Sequence, residues 1–436
     1  MPVSNDPKLA PEPRANASVQ GVWTIADQAV VSLTSFSATV IVGRTLGKEA
    51  LGVYALGPFL FWLVAGLVNA VVWVPYTSRA CRLSRSERGV YLANNTVMAA
   101  AMAAALCLLC IAAGALTQAF GPADSWLAPF AYAMAPLSVT FLLREHVRRV
   151  FIADFSSARL LLLDLPIGVL TLAALLLLVY TERLTPAVAL IATALAAAPC
   201  LPFVWGLLRG AGVSYAGVVA DARSNWGFGR WLLLVAVAWL IGDGALRWML
   251  VGIHGIDVLG VFSAAFAVVM LANPLILAMT SFARSWAARV RAADGTAGLL
   301  SHTVRLTFAS VVLAVGAMVA MTWLGDKLIQ AFFGAQFADP RLVMLLAAAI
   351  CLQATSIPVD AALTALELGK KMSLASISQL AVTLVVGLPL VYLYGASGVG
   401  WTMLARSLPI LLVSWDALLR ASSKQGMLHA TQPASI

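Results

Sequence analysis

Charge is what this sequence lacks most. Asp, Glu, Lys and Arg together make up 11% of its 436 residues, where a soluble domain carries about 25%. So few charges cannot cover a water-facing surface, and with 61% hydrophobic residues and a mean hydropathy of +0.91 most of the outer surface must face lipid. Metal-site and disulfide patterns are missing too. The four histidines (His146, His254, His302, His429) lie far apart and show no ligand spacing. Five cysteines (Cys81, Cys107, Cys110, Cys200, Cys351), an odd number mostly inside apolar runs, do not form a disulfide framework. Cys107 and Cys110 form a CxxC within a purely apolar helix, where small packing residues are expected. There is no phosphate loop, no HExxH and no GxSxG elbow, so the chain is read as neither an enzyme nor a cofactor or metal protein.

What is present is a series of apolar runs. A spanning helix needs about 20 mostly apolar residues, and the sequence predicts an all-α polytopic membrane protein with twelve spans: Val22–Gly43, Leu51–Pro75, Val90–Thr117, Trp126–Leu143, Ala158–Tyr180, Thr185–Leu208, Trp231–Ile253, Val258–Phe282, Thr303–Leu324, Arg341–Leu366, Met372–Tyr394 and Ala396–Leu419. The polar, proline-rich segment 1–21 lacks the pattern of a cleaved signal peptide and is read as a disordered tail. Residues 22–208 would form an N-terminal lobe, 209–230 a linker with an interfacial portion, 231–420 a C-terminal lobe and 421–436 a second tail.

The formal net charge of +9 does not point to nucleic acid, because the cations sit in short loops beside the spans, where charge sets topology. Lys8, Arg14, Arg79, Arg82, Arg85, Arg88, Arg144, Arg148, Arg149, Arg159, Arg209, Arg223, Arg230, Arg284, Arg289, Arg291, Lys370, Lys371, Arg420 and Lys424 fall on one side, 20 in all; Arg44, Lys48, Arg183, Lys327 and Arg341 fall on the other, 5 in all. This alternation requires an even number of spans with both termini cytoplasmic.

The second span opens Leu51-Gly52-Val53-Tyr54-Ala55 and the eighth Leu259-Gly260-Val261-Phe262-Ser263, about 208 residues later. Six plus six spans would place these at equivalent positions in two parallel repeats; chance similarity of apolar segments is the other reading. Pro58, Pro166, Pro199, Pro274, Pro358, Pro389 and Pro409 lie inside the spans, where proline removes a donor and can kink a helix.

Ionisable groups at membrane depth are costly and mark functional sites by default. Asp243 and Arg247, four residues apart on one face of the seventh span, are the leading pair, either as a structural ion pair or as a wet polar face that meets a charged substrate. Arg406 lies near the middle of the twelfth span, too deep to snorkel easily, and is expected to face a cavity. Asp27 lies near the start of the first span, either in the interface or pointing into a cavity. Asp164 and Asp360 are weaker candidates, and Arg305 is expected to snorkel from a helix end.

Asp27-Gln28, the stretch from Gly43-Arg44-Thr45-Leu46-Gly47 through Gly52-Val53-Tyr54-Ala55, and Tyr394-Gly395-Ala396-Ser397-Gly398-Val399-Gly400 together resemble motifs of the multidrug/oligosaccharidyl-lipid/polysaccharide (MOP) exporter superfamily, in particular its Wzx-type polysaccharide flippases. The resemblance implies a MATE-like fold of two six-helix lobes around a central cavity. It also implies a lipid-linked oligosaccharide cargo, turned across a bacterial inner membrane for surface polysaccharide assembly, with membrane lipids and the polysaccharide polymerase and export machinery as partners. Arg247, Arg406 and Arg44 are the residues it suggests for a pyrophosphate, whose oxygens match the forked donors of arginine. The rival readings are a small-molecule or multidrug antiporter on the same fold and a membrane glycan polymerase or ligase. The third wants a large outer loop, and the longest outer connection, about 325–340, is modest.

Overall fold

The structure is a computed structural model that describes residues 17–430 except 81–82, 123–124, 155, 210–211 and 367. The expected tail to Asn16 with Lys8 and Arg14, the positions of Cys81 and Arg82, the side chains of Arg85, Arg284, Lys370 and Lys424, and residues 431–436 lie outside that description. Among the described residues no strand occurs. The described residues form twelve helical columns, in order α1 (17–46), α2 (48–80), α3 (Arg85–Phe120), α4 (Leu127–Ala153), α5 (Ser157–Tyr180), α6 (Pro186–Leu208), α7 (Tyr215–His254), α8 (256–294), α9 (296–332), α10 (Pro340–Ala365), α11 (369–394) and α12 (396–430).

Some continuous helical stretches are too long for one crossing and contain two columns each. The stretch Gln20–Ala80 has 61 helical residues, which unbroken would run about 90 Å, some three times the hydrocarbon thickness. It is divided at Gly47, whose φ of 85° leaves the helical region. Gly395 (φ 57°) divides α11 from α12 in the same way, and Gly295 (φ 66°) divides α8 from α9. A side chain is strained at such angles, so glycine makes these reversals possible.

Several expected boundaries move. The first helix begins at Ala17, inside the tail expected over 1–21, and α12 stays helical to Ala430, well into the tail expected over 421–436. Within 209–230 the chain is helical from Tyr215 and runs without a break into the seventh span, capped by the Ser214 hydroxyl, which accepts from Gly217 N–H. The fourth span continues from Leu143 to Ala153. Each of these extensions is polar, so hydropathy alone ends the span too early.

The duplication is visible in the backbone. Gly47 before α2 and Gly255 before α8 both have positive φ, 85° and 95°, and they lie 208 positions apart. Five residues on, a methyl group added at Gly52 would overlap the carbonyl oxygen of Ile256, and one added at Gly260 would overlap that of Lys48. Positions 48 and 52 pair with 256 and 260 at the same 208-residue offset, so α2 and α8 cross reciprocally, as related patches do about a two-fold axis. Arg44 at the end of α1 adds a further tie here by donating to the carbonyls of Ala331 and Phe332 at the end of α9. Phe36 meets Phe332 edge-to-face, centroids 5.1 Å apart.

These contacts tie the two halves together on the arginine-poor face. On the arginine-rich face the start of α7 docks onto α2 and α3. Arg79 donates to the Ser224 hydroxyl at 2.7 Å, Tyr91 to Asn225 at 2.7 Å, Asn225 to Asn95 at 2.9 Å and Asn94 to Asp221 at 2.7 Å. A long helix that starts against the N-terminal half therefore ends in the C-terminal one.

Candidate functional site

Three of the sequence candidates converge. Asp243 and Arg247 share one face of α7, and Arg247 Nη1 lies 2.9 Å from Asp243 Oδ2. Arg406 of α12 donates to the other oxygen, Oδ1. One carboxylate thus serves two guanidiniums. Asp243 is 9% exposed and Arg406 6%, so each group loses most of its water and depends on the pairing. Aromatic rings complete the cage: the Arg247 guanidinium sits 3.7 Å from the centroid of Phe59 and 5.6 Å from that of Phe262, and Arg406 sits 5.8 Å from that of Trp239. Ring faces attract cations most strongly where water is excluded. Phe59 comes from α2, so Arg247 also reaches the N-terminal half.

The trio borders a cavity of about 370 Å³. Its walls come from α7, α8, α10 and α12, with Trp239, Phe262 and Phe266 near the charges and Asn273, Gln353, Ser356 and Asp360 beyond them. A cavity at the seam of the two lobes was the expectation; this one lies within the C-terminal half. Two of its wall helices are interrupted beside it. α8 tightens to a 3₁₀ turn at Met270–Ala272, ahead of Pro274. α10 breaks between Ala354 and Ile357, ahead of Pro358. Irregular backbone at membrane depth is tolerated where it is buried in protein or lines a cavity.

Asp27 belongs elsewhere. It is fully buried and accepts from Arg148 Nη2 at 2.9 Å. Arg148 Nε lies 3.1 Å from Asp164 Oδ2, and Arg144 lies 2.7 Å from Asp164 Oδ1. Glu145 pairs with Arg149 at 2.8 Å. His146 is buried beside them, its Nε2 3.0 Å from the Thr96 hydroxyl. The cluster sits wholly in the N-terminal half, on α1, α4 and α5. Arg144, Arg148 and Arg149, expected as loop cations, lie on the last turns of α4 instead. The signal that finds them is spacing: Arg144, Glu145, Arg148 and Arg149 recur at i, i+1, i+4 and i+5 on one helical face, with the intramembrane Asp164 to receive them.

Arg44 is also placed apart from the cavity. It is exposed and capped on the α9 carbonyls on the arginine-poor face, so the expected grouping with Arg247 and Arg406 does not form. Cationic side chains suit helix C-termini, where carbonyls lack partners. Asp360, read as a weak candidate, does line the cavity and accepts from the Ser356 and Ser414 hydroxyls at 3.2 and 3.3 Å. Among the described residues no cluster of His, Cys, Asp and Glu could hold a metal ion.

No family model matches the sequence, and no curated protein matches it. Solved structures do match in fold. A multidrug resistance MATE family transporter of the MOP superfamily in its inward-facing conformation superposes with a TM-score of 0.73 at 14% identity, over 92% of this chain and 96% of that one. The outward-facing conformation of such a transporter gives 0.59 at 13% identity, over 94% and 96%. A MOP superfamily transporter from Pyrococcus furiosus, described by a reversed polarity of its binding pocket that suggests a different function, also gives 0.59 at 13% identity, over 94% and 96%. At these identities the likeness concerns architecture: the chain has the fold of MATE transporters of the MOP superfamily.

Proposed function

We propose that this protein is an alternating-access exporter that carries a polyprenyl-pyrophosphate-linked oligosaccharide across a bacterial inner membrane, with the arginine-rich face and both termini in the cytoplasm. One observation carries this reading: Arg247 and Arg406 share the single carboxylate of Asp243 at the wall of a cavity. One carboxylate neutralises one guanidinium, so the trio keeps one positive charge and unused N–H donors. A pyrophosphate supplies the missing negative charge and accepts in the forked geometry that arginine offers. The glycan needs a hydrated chamber, because neither it nor the phosphates cross hydrocarbon unaided, while the polyprenyl chain stays in lipid.

The contacts of the two halves on the arginine-poor face, together with the higher score against an inward-facing neighbour, support a cytoplasm-open state, the one that loads cargo for export. Cargo would then pass to polysaccharide polymerase and export machinery on the outer side. A multidrug antiporter is the second reading. Asp360 in the same cavity favours it, since a cationic drug needs a carboxylate, and two neighbours in fold are described as multidrug resistance transporters.

Reconstitution in proteoliposomes separates the two. The expected result is transbilayer movement of a fluorescent polyprenyl-pyrophosphate oligosaccharide that Arg247→Ala abolishes at normal protein abundance. Export of a cationic dye without movement of the lipid would replace the flippase reading with the antiporter one.

A further inference from the structure

The cavity has two chemically different ends. Asp243 lies about three helical turns from the arginine-poor end of α7 at His254. Arg406 lies at a similar depth in α12, about three turns from Gly395. The far wall reaches deeper. Gln353, Ser356 and Asp360 lie about four to six turns from the start of α10 at Pro340. On α8, Asn273 and Thr280 lie about five to seven turns from Ile256. A charged and aromatic end near mid-depth thus gives way to an amide and hydroxyl collar with one carboxylate, displaced toward the arginine-rich face by roughly 3 Å at Gln353, 14 Å at Asp360 and 20 Å at Thr280, at about 1.5 Å per residue.

Spacing aims the collar inward. Gln353, Ser356, Ile357 and Asp360 recur at i, i+3, i+4 and i+7 on α10, and Asn273, Ile276 and Thr280 at i, i+3 and i+7 on α8, all of them lining the cavity. Apolar side chains would pack this space at lower cost in a lipid-embedded bundle. The breaks at Met270–Ala272 and at Thr355–Ser356 fall beside the collar, and interrupted helices recur around substrate sites in transporters.

The geometry points to a sugar-hydroxyl subsite formed by Gln353 and Asp360, which reads the sugar ring next to the phosphate of the cargo. The assignment rests on the flippase reading and adds to it the specificity-determining residues. A carboxylate and a primary amide are the planar groups that pair with neighbouring hydroxyls: the carboxylate accepts from both, and the amide donates to one and accepts from the other. Trp239, 47% exposed at the charged end, offers an aromatic face to the apolar side of a pyranose. A volume of about 370 Å³ is at the small end of ligand cavities, about 300–1,000 Å³. It suits a phosphate group with one ring, so the rest of the glycan extends through the arginine-rich opening. Gln353 is exposed and Asp360 half-buried, so bound cargo would cover them; protein sites built to bond a substrate hydroxyl discriminate more strongly than apolar pockets, because an analogue without it leaves the covered polar groups unpaired.

The test uses the full chain in proteoliposomes with two probes, fluorescent polyprenyl pyrophosphate bearing a single hexose and the same lipid with no sugar. The readout is the ratio of the two flipping rates. Wild-type protein is expected to favour the hexosyl lipid, and Asp360→Asn and Gln353→Leu are each expected to lower that ratio by about tenfold, the scale of one lost hydrogen bond to a substrate hydroxyl. Using a ratio cancels differences in the folded fraction between variants. An unchanged ratio in both variants, or two rates that fall in step, overturns the subsite and leaves the flippase reading standing, since wild-type protein still moves both lipids. If wild-type protein moves neither lipid, the flippase reading itself fails and the subsite falls with it.

Discussion

In the N-terminal half, Asp27, Glu145 and Asp164 meet Arg144, Arg148 and Arg149, three acids for three bases. In the C-terminal half, Arg247 and Arg406 share Asp243, two bases for one acid. The first group is packed between α1, α4 and α5; the second borders a cavity. The duplicated backbone does not explain the difference, because the charges were not duplicated with it. At the 208-residue offset Asp27 corresponds to Val235, Asp243 to Ser35 and Arg247 to Thr39. Each half carries its own set of charges on one scaffold. A balanced buried set can do without a ligand, whereas an unbalanced one beside a cavity can recruit one. On the proposed function, the contrast separates a charge group that holds structure from one that handles cargo, and it can be attacked from either side.

The heaviest blow falls on the balanced group. Arg148→Ala strips Asp27 of its ion-pair partner and Asp164 of one of two. An uncompensated buried charge costs about 3–5 kcal/mol, so this variant is expected to lose most of its folded protein, read as monodisperse yield and thermal midpoint in detergent. Asp243→Asn is expected to cost less, about 2 kcal/mol, because the asparagine carbonyl still accepts from one arginine and both arginines border the cavity. Its larger consequence is for cargo: with the competing carboxylate gone, a pyrophosphate probe is expected to bind more tightly and leave more slowly. Equal losses of stability from both variants would erase the distinction between the two groups.

The spans were legible in the sequence because lipid fixes their length and excludes charge. The repeat was legible because a close crossing of two helices requires glycine at 52 and 260 and a reversal requires it at 47 and 255. Depth along the chain also pointed to Asp243, Arg247 and Arg406. What hydropathy hid was the polar end of α4, since a window that counts charge against a span cannot distinguish a loop arginine from one neutralised by Asp27 or Asp164 on other helices. Lateral position was hidden for a similar reason: which wall of a bundle a residue lines depends on packing between helices far apart in sequence. Arg44 was misplaced on that account, its partners being backbone carbonyls of Ala331 and Phe332 that carry no side-chain signature.

The reciprocal crossing sharpens the comparison from the side where the halves agree. Gly52→Ala and Gly260→Ala each press a methyl group onto a carbonyl of the other helix. Overpacking costs about 1–3 kcal/mol, and these two variants are expected to lose similar amounts, to open the arginine-poor face to a membrane-impermeant thiol probe at an introduced cysteine, and to add less than fully in the double variant because they wedge one contact. Arg44→Ala acts on the same face with the smallest effect. Its guanidinium is exposed and bonds only carbonyls, so its removal is expected to cost about 0.5–1 kcal/mol and to raise probe access slightly while cargo affinity stays as it was. A binding role for Arg44 predicts the reverse, a loss of pyrophosphate affinity with the face still closed, and measuring both quantities on one preparation decides between a strut and a ligand.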